Sequence, residues 1–391
     1  MLQPYPLPKK IAQIKHTNTQ KKNHTHQTTK SMKTKIIKSM NWIGLGFLEP
    51  LVRLISGEEP RKNTTLLFKK FLFPVGAMFL TLLIWSSSAT YLYNLEADRK
   101  IQKTLADQGQ AAADEMKACI ESGEKKCQPN SLPSPSQVYE AYLSLLADHR
   151  LIVQDKADFK EKTAKINAQR AEQGKEPIRY TGRPSFVDQV VTSIKTVFAG
   201  VLLAMLIAVP IGIILGLSDT LRSSLTWLIQ ILKPVSPVVW LLLVFMIVKT
   251  LMTDSDMDKS FLISFISVGL CSMWATLVNT SVGVSTVDKD FINVSKVLRL
   301  GVGKNIFKII LPASFPMIFT GIRITVSVAW MVLIAIELLA QSPGLGSFVW
   351  EQFQNGANDS NAKILVAMFA IGGIGFMLDK IMMALQKLLT F

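Results

Sequence analysis

The run Gly301-Val302-Gly303-Lys304-Asn305 holds the residue types that cradle a phosphate: glycines that let the backbone approach and a lysine to meet the charge. A nucleotide-binding loop needs G-x-x-x-x-G-K-[ST] after a strand. Here the glycines stand too close together and Asn305 takes the place of the closing hydroxyl. The chain is therefore expected to hydrolyse no ATP by itself. It carries neither a G-x-S-x-G elbow nor an H-E-x-x-H pair, which removes acyl transfer and zinc-dependent hydrolysis. His16, His24 and His26 lack a surrounding Cys or carboxylate pattern, so neither a metal nor a cofactor is expected on this chain. The polar groups left to explain stand in or beside long apolar runs. They are Asn279, Thr280 and Ser281, then Glu337, and a basic stretch from Val294 to Pro316 with Lys296, Arg299, Lys304 and Lys308.

Membrane helices must position these groups. The chain has 391 residues and is 49% hydrophobic, with a mean hydropathy of +0.30, too apolar for a soluble protein of this size. Roughly six runs approach the ~20 residues that a hydrocarbon core demands. They are Phe71 to Tyr93, Val197 to Leu217, Leu225 to Val248, Phe261 to Val284, Ile318 to Ala340 and Ile364 to Met383. Lipid offers the backbone no partner, so each run must be a helix and the fold class is an all-α membrane protein. The net charge of +15 does not point to nucleic acid. Its cations crowd the amino-terminal region and the membrane-flanking turns, with no basic groove of interleaved aromatics.

Lys and Arg mark the cytoplasmic side of short segments. Residues 1–70 carry many of them against Glu49, Glu58 and Glu59, which places this basic region inside. Its first forty or so residues are too polar to form a core and read as a disordered tail; Met32 or Met40 would serve equally as a start. Six crossings then put the turn at Arg222, the Val294 to Pro316 stretch and the carboxyl terminus inside, and the acidic turn Asp254, Asp256, Asp258 outside.

Between the first two spans, residues 95–189 form an external polar insertion. Val138, Tyr139, Tyr142, Leu145 and Leu146 follow helical spacing after LPSPSQ, with Ser136 as N-cap, while Lys156 to Arg183 is too polar for a core. Cys119 and Cys127 lie outside, where oxidation is possible, and either close a small disulfide loop or stay as two thiols. Cys271, within the fourth run, reads as a packing residue.

In the basic stretch, Asp290 is placed to cap a short helix. Val294, Val297, Leu298 and Val302 would form its apolar stripe, with Ser295, Lys296 and Arg299 facing away. Gly301 and Gly303 interrupt it, and a second short helix, Lys304 to Leu311, would end at the bend imposed by Pro312 and Pro316. Such a helix, break and helix suits a knob lying along the cytoplasmic face, offered either to a protein partner or to anionic headgroups.

This stretch resembles the Glu-Ala-Ala loop of bacterial ABC importer permeases, whose coupling helix inserts into a groove of a separate ATPase. Ile309, Leu311 and Pro312 match the family's final I-x-L-P; Asn293, Val294 and Ser295 stand where Glu-Ala-Ala would, and Arg299 replaces the usual Gly. These departures resemble the branch for nitrate, sulfonate, cyanate and bicarbonate, the nitrate members most. TGRPSFVDQVVTSIKTVFAG, KPVSPVVWLLL, NVSKVLRLG and AQSPGLGSFVWEQFQNG carry the likeness.

The resemblance implies a type I importer permease core over residues 190–389, with a cytoplasmic coupling loop at 285–316 that includes Gly301. It further implies a bacterial inner-membrane location and a second permease chain, most simply an identical copy. The remaining partners would be ABC ATPase subunits that hold ATP-Mg and a periplasmic binding protein that delivers the anion. Nitrate is the first choice; sulfonate, cyanate and bicarbonate are the alternatives. Lys296 and Arg299 would then meet the ATPase rather than lipid.

Span residues could serve passage of that anion. Pro234 and Pro237 would kink the third span and free backbone groups to line a cavity. Asn279, Thr280 and Ser281 could donate to an oxyanion or glue helices together. Glu337 would repel an anion, which favours a hydrogen-bonding or gating role. Gly372, Gly373 and Gly375 would permit close helix packing. A secondary transporter is disfavoured by the docking-shaped loop and the lack of an inverted repeat. A membrane-anchored receptor is disfavoured by so polar an outer segment.

Overall fold

The computed structural model describes residues Glu49–Ile55, 60–124, 126–251, 259–356 and 359–389. The polar amino-terminal tail and the acidic turn Asp254, Asp256, Asp258 lie outside them. Among the described residues every regular element is helical.

The chain divides into two compact units, Met1–Ser88 and Ala89–Phe391. In the first, α1 (Glu49–Ile55) packs on α2 (Pro60–Leu67), and a π-helical turn, Phe68–Leu72, opens the long helix α3 (Phe73–Gln108). Met78, Phe79, Leu82 and Leu83 on α3 are exposed, as a lipid-facing surface requires. The helix does not stop near Tyr93. Charged residues continue it once the apolar run ends, with Glu96 and Arg99 paired at 3.7 Å, until Gly109 at φ 86° ends it.

The insertion contains α4 (Gln110–Glu121) and the 38-residue α5 (Pro135–Glu172). Ser134, not Ser136, caps α5: its hydroxyl accepts from the Gln137 amide while the Gln137 side chain accepts from the Ser134 amide. Pro135 following it is pre-set for a first helical turn. Val138, Ala141, Leu145 and Ile152 are the buried face of α5, and the polar part beyond continues as helix to Glu172. Cys119 and Cys127 are bonded. Their loop is held by Tyr93, which donates to Gln128, and by Lys100, which donates to the Cys127 carbonyl at 3.1 Å.

The centre of the second unit is a three-helix packing of α6 (Phe186–Leu217), α9 (Lys259–Ser285) and α12 (Leu311–Ala340). Small residues recur every four positions on α6, at Gly200, Ala204, Ala208, Gly212 and Gly216, all buried. This stripe lets the backbones approach, which in lipid is what drives helices together. A Cβ at Gly212 would lie 2.6 Å from the Thr280 Cβ on α9. On the other side of α9, the Thr276 and Thr325 hydroxyls bond at 2.7 Å and Thr325 is also 3.0 Å from the Ser272 carbonyl. Of the glycines expected to pack closely, Gly372 and Gly373 stand in open space on α14 (Ser360–Leu389), and Gly375 alone lies against a neighbour, Trp330.

The expected third span is broken. α7 (Asp219–Leu232) and α8 (Pro237–Leu251) meet at 99° across four residues. Pro234 and Pro237 remove two amide donors, and Pro237, the first residue of α8, is pre-set for a new helical start. Among the described residues, five helices are long and apolar enough to cross a membrane, or six with this bent pair taken as one.

The fifth span corrects the sequence reading in the opposite direction. α10 (Lys289–Val297) ends in a turn at 298–301, after which α11 (Val302–Asn305), a π-helical turn Ile306–Ile310, and α12 follow one another without a break. Val302 to Ala340 is one 39-residue run. Pro312 falls in the first turn of α12, where a missing N–H is tolerated, and the wider π turn ahead of it absorbs the ring.

Candidate functional site

Asp288, not Asp290, caps α10, accepting from the Asp290 amide at 3.0 Å. The helix ends in a Schellman motif: the Arg299 amide donates to the Lys296 carbonyl at 3.0 Å and the Leu300 amide to the Ser295 carbonyl at 3.1 Å. That motif needs a left-handed residue, and Arg299 sits at φ 46°. The position where Arg299 replaces glycine is therefore one where glycine would be unstrained. Arg299→Gly is expected to stabilise this turn by about 1 kcal/mol, read as slower hydrogen exchange of the 298–300 amides.

Within α10 the expected apolar stripe is turned outward, and of the three residues expected to face away from it only Ser295 turns inward. Ser295 is the buried residue at 4% exposure, while Val294, Val297 and Leu298 are 52%, 82% and 62% exposed. Phe291 on the same helix, and Val302 and Phe307 beyond it, are exposed too. Lys296, Arg299 and Asn293 are exposed as well, and Gly301 precedes α11 with open space around it. Ile309 and Leu311 are partly buried and Pro312 is exposed at the start of α12. The sequence stripe was legible, but an apolar stripe on a juxtamembrane helix turns toward its own chain or away from it, and spacing alone does not say which.

The span residues separate into different roles. Pro234 and Pro237 form the bend between α7 and α8. Asn279 donates to the Ala275 carbonyl of its own helix at 2.8 Å. Thr280 is wholly buried against Gly212, and Ser281 is 6% exposed. Within this chain, Thr280 and Ser281 face other helices rather than an open passage.

Glu337 is 1% exposed and stitches three elements together. The Ser193 hydroxyl of α6 donates to its carboxylate, 2.7 and 2.8 Å from the two oxygens, and the Gly346 amide donates at 2.9 Å. Gly346 is in the first turn of α13 (Leu345–Asn355), and the Leu345 amide donates to Ser193 at 2.9 Å. The carboxylate thus meets the positive end of a helix dipole and two of its unpaired amides are served. A Cβ at Gly344 would overlap that carboxylate, so the turn is glycine for reasons of space. Ser193, Gly344 and Gly346 escaped the sequence reading; the G-L-G at the start of α13 was the available signal for the two glycines, and Ser193 had none.

A second polar contact joins α12 to α14. Arg323 donates through Nε and Nη2 to the two oxygens of Asp379, at 2.9 and 3.2 Å.

Residues 208–390 match the family described as binding-protein-dependent transport system inner membrane component. The nitrate import permease protein NrtB of Synechococcus elongatus is 32% identical over 202 residues, covering 52% of this chain and 69% of that protein. The bicarbonate transport system permease protein CmpB of a Synechocystis species is 34% identical over 203 residues, covering 52% and 68%. A solved chain of the inward-facing MetNI methionine ABC transporter aligns with a TM-score of 0.47 and 12% identity, over 52% of this chain and 96% of that one. Residues 95–189 precede the part matched by the family.

Proposed function

The chain belongs to the binding-protein-dependent ABC importer permeases, and on that premise we propose that it is the membrane subunit through which a small planar oxyanion, nitrate foremost, is imported at the expense of ATP held by separate ATPase chains. A periplasmic binding protein delivers the anion, and two identical permease chains enclose its path. Bicarbonate is the second reading, favoured by the equal similarity to a bicarbonate permease. The observation that carries the proposal is α10, a short helix whose apolar side is turned outward and whose end leads into a membrane helix.

The geometry suggests how force would pass. When the ATPases close on ATP, they carry α10 with them, and the uninterrupted run from Val302 to Ala340 takes that displacement into the span. Ile310 and Ser314 are buried at the base of this lever, so it moves against packed helices rather than flexing freely. ATP shifts the inward to outward equilibrium only by the difference in its affinity for the two states. The purified chain alone should turn over no ATP, whereas its assembly with the neighbouring ATPase should do so. Turnover by the isolated polypeptide would refute the division of labour.

Orientation rests on charge and on the bent α7–α8 pair counting as one crossing. The basic N-terminal region and the basic coupling loop then share the cytoplasm, which six crossings allow and five would not. After mild reduction of intact cells, an impermeant thiol reagent should label Cys119 and Cys127 but not a cysteine introduced at position 304. Labelling at 304 would overturn this topology.

A further inference from the structure

The Arg323–Asp379 pair lies inside apolar stretches of two spanning helices. Arg323 is about 18 Å along α12 from Leu311, and Asp379 about 15 Å before Leu389 on α14, at the helical rise per residue. Both side chains remain open, 32% and 35% exposed. Facing lipid, an open ion pair at this depth would be costly, so intramembrane charges turn toward protein or water. Polar groups continue along the same side: Gln386 donates to Thr320 at 3.1 Å, and Ser327, exposed, stands one turn beyond Arg323. Thr320, Arg323 and Ser327 follow i, i+3, i+7 and mark one face of α12.

Glu337 offers a useful contrast. It is fully enclosed and every contact it makes fastens helices. Arg323 and Asp379 are fastened to each other on one side only. The guanidinium fork presents two parallel N–H groups to a planar carboxylate, and a planar three-oxygen anion matches the same fork.

We propose that Arg323 is an intramembrane contact for the translocated anion in the cytoplasmic half of the path, and that Asp379 occupies its fork between passages. The inference rests on the anion-import reading above and names a residue for it. Asp379 keeps the resting site neutral and competes with the anion, so the anion is met without being trapped. The substrate class is a small planar oxyanion carrying a single negative charge. A pair that merely staples α12 to α14 would have the same resting geometry, and the two roles respond differently to exchange of the partners.

The test is nitrate and bicarbonate uptake into proteoliposomes holding the whole complex with its ATPases and binding protein, normalised to assembled complex. R323Q is expected to lower uptake by at least about tenfold, the loss of one charge-assisted contact, with R323K intermediate. D379N should lose far less, since the guanidinium remains. The exchanged pair R323D/D379R should recover assembly and thermal stability without recovering uptake, because the cation now sits on the other helix. Uptake restored by the exchange, or D379N as damaging as R323Q, would overturn the proposal and leave a staple. Failure of the wild-type complex to take up either anion would instead overturn the anion reading, and this inference with it.

Discussion

Asp substituted at both Val297 and Leu298 is expected to strip the ATPase from the complex while the permease still inserts and folds. The two side chains are 82% and 62% exposed in the single chain, so their replacement removes nothing from its own core. Against a partner groove, each fully covered Val or Leu contributes about 1.5 to 3 kcal/mol, and two introduced carboxylates would also have to be desolvated. The combined loss should weaken association by at least about a hundredfold. Co-purification in neutral detergent measures it, where anionic lipid cannot substitute for protein. Reversal of Lys296 and Arg299 should act more weakly and show more salt dependence, as exposed rim charges do. ATPase recovered with the double Asp variant at the wild-type level would show that α10 is not the docking element.

Glu337→Ala is expected to be the most damaging single change within the spans. It leaves the Gly346 amide without an acceptor and frees Ser193 from the carboxylate it joins to α13. Each buried polar group left unpaired costs about 1 to 3 kcal/mol, and a cavity adds to that. The total, roughly 3 to 6 kcal/mol, should appear as a fall in melting temperature of the detergent-solubilised chain. Glu337→Gln keeps the shape and one acceptor and should be intermediate. Unchanged melting of the Ala variant, with transport alone lost, would mean that the carboxylate serves passage and not the joint between α6, α12 and α13.

The spans were legible because lipid imposes a simple rule on composition, and Val197 to Leu217 and Phe261 to Val284 fall within α6 and α9. Their packing was less so. Gly200, Ala204, Ala208, Gly212 and Gly216 form a visible four-residue repeat, but the eye goes first to the denser Gly372, Gly373 and Gly375, two of which face open space. The prolines were legible at one place and not at the other. Pro234 and Pro237 bend the chain by 99° because they fall together at a helix end, whereas Pro312 and Pro316 leave a run intact because a π turn precedes them. The resemblance singled out the stretch at 285–316 and its I-x-L-P ending, which the apolar pattern alone left open between a protein partner and headgroups. Which side of α10 is buried was decided by Ser295 packing inward, a tertiary fact without a local signature. Arg299 was marked by the sequence as a departure from glycine, and its left-handed backbone gives that departure a physical meaning.

ATP-driven accumulation of nitrate in proteoliposomes tests the account most directly. The reconstituted complex of this permease with its ATPase and binding protein should accumulate nitrate against its gradient when ATP is supplied. It should not do so when ATP is replaced by a non-hydrolysable analogue, or when Val297 and Leu298 are both Asp. Equal nitrate entry without ATP, or with the permease alone, would contradict an ATP-coupled importer and place this chain among the secondary transporters.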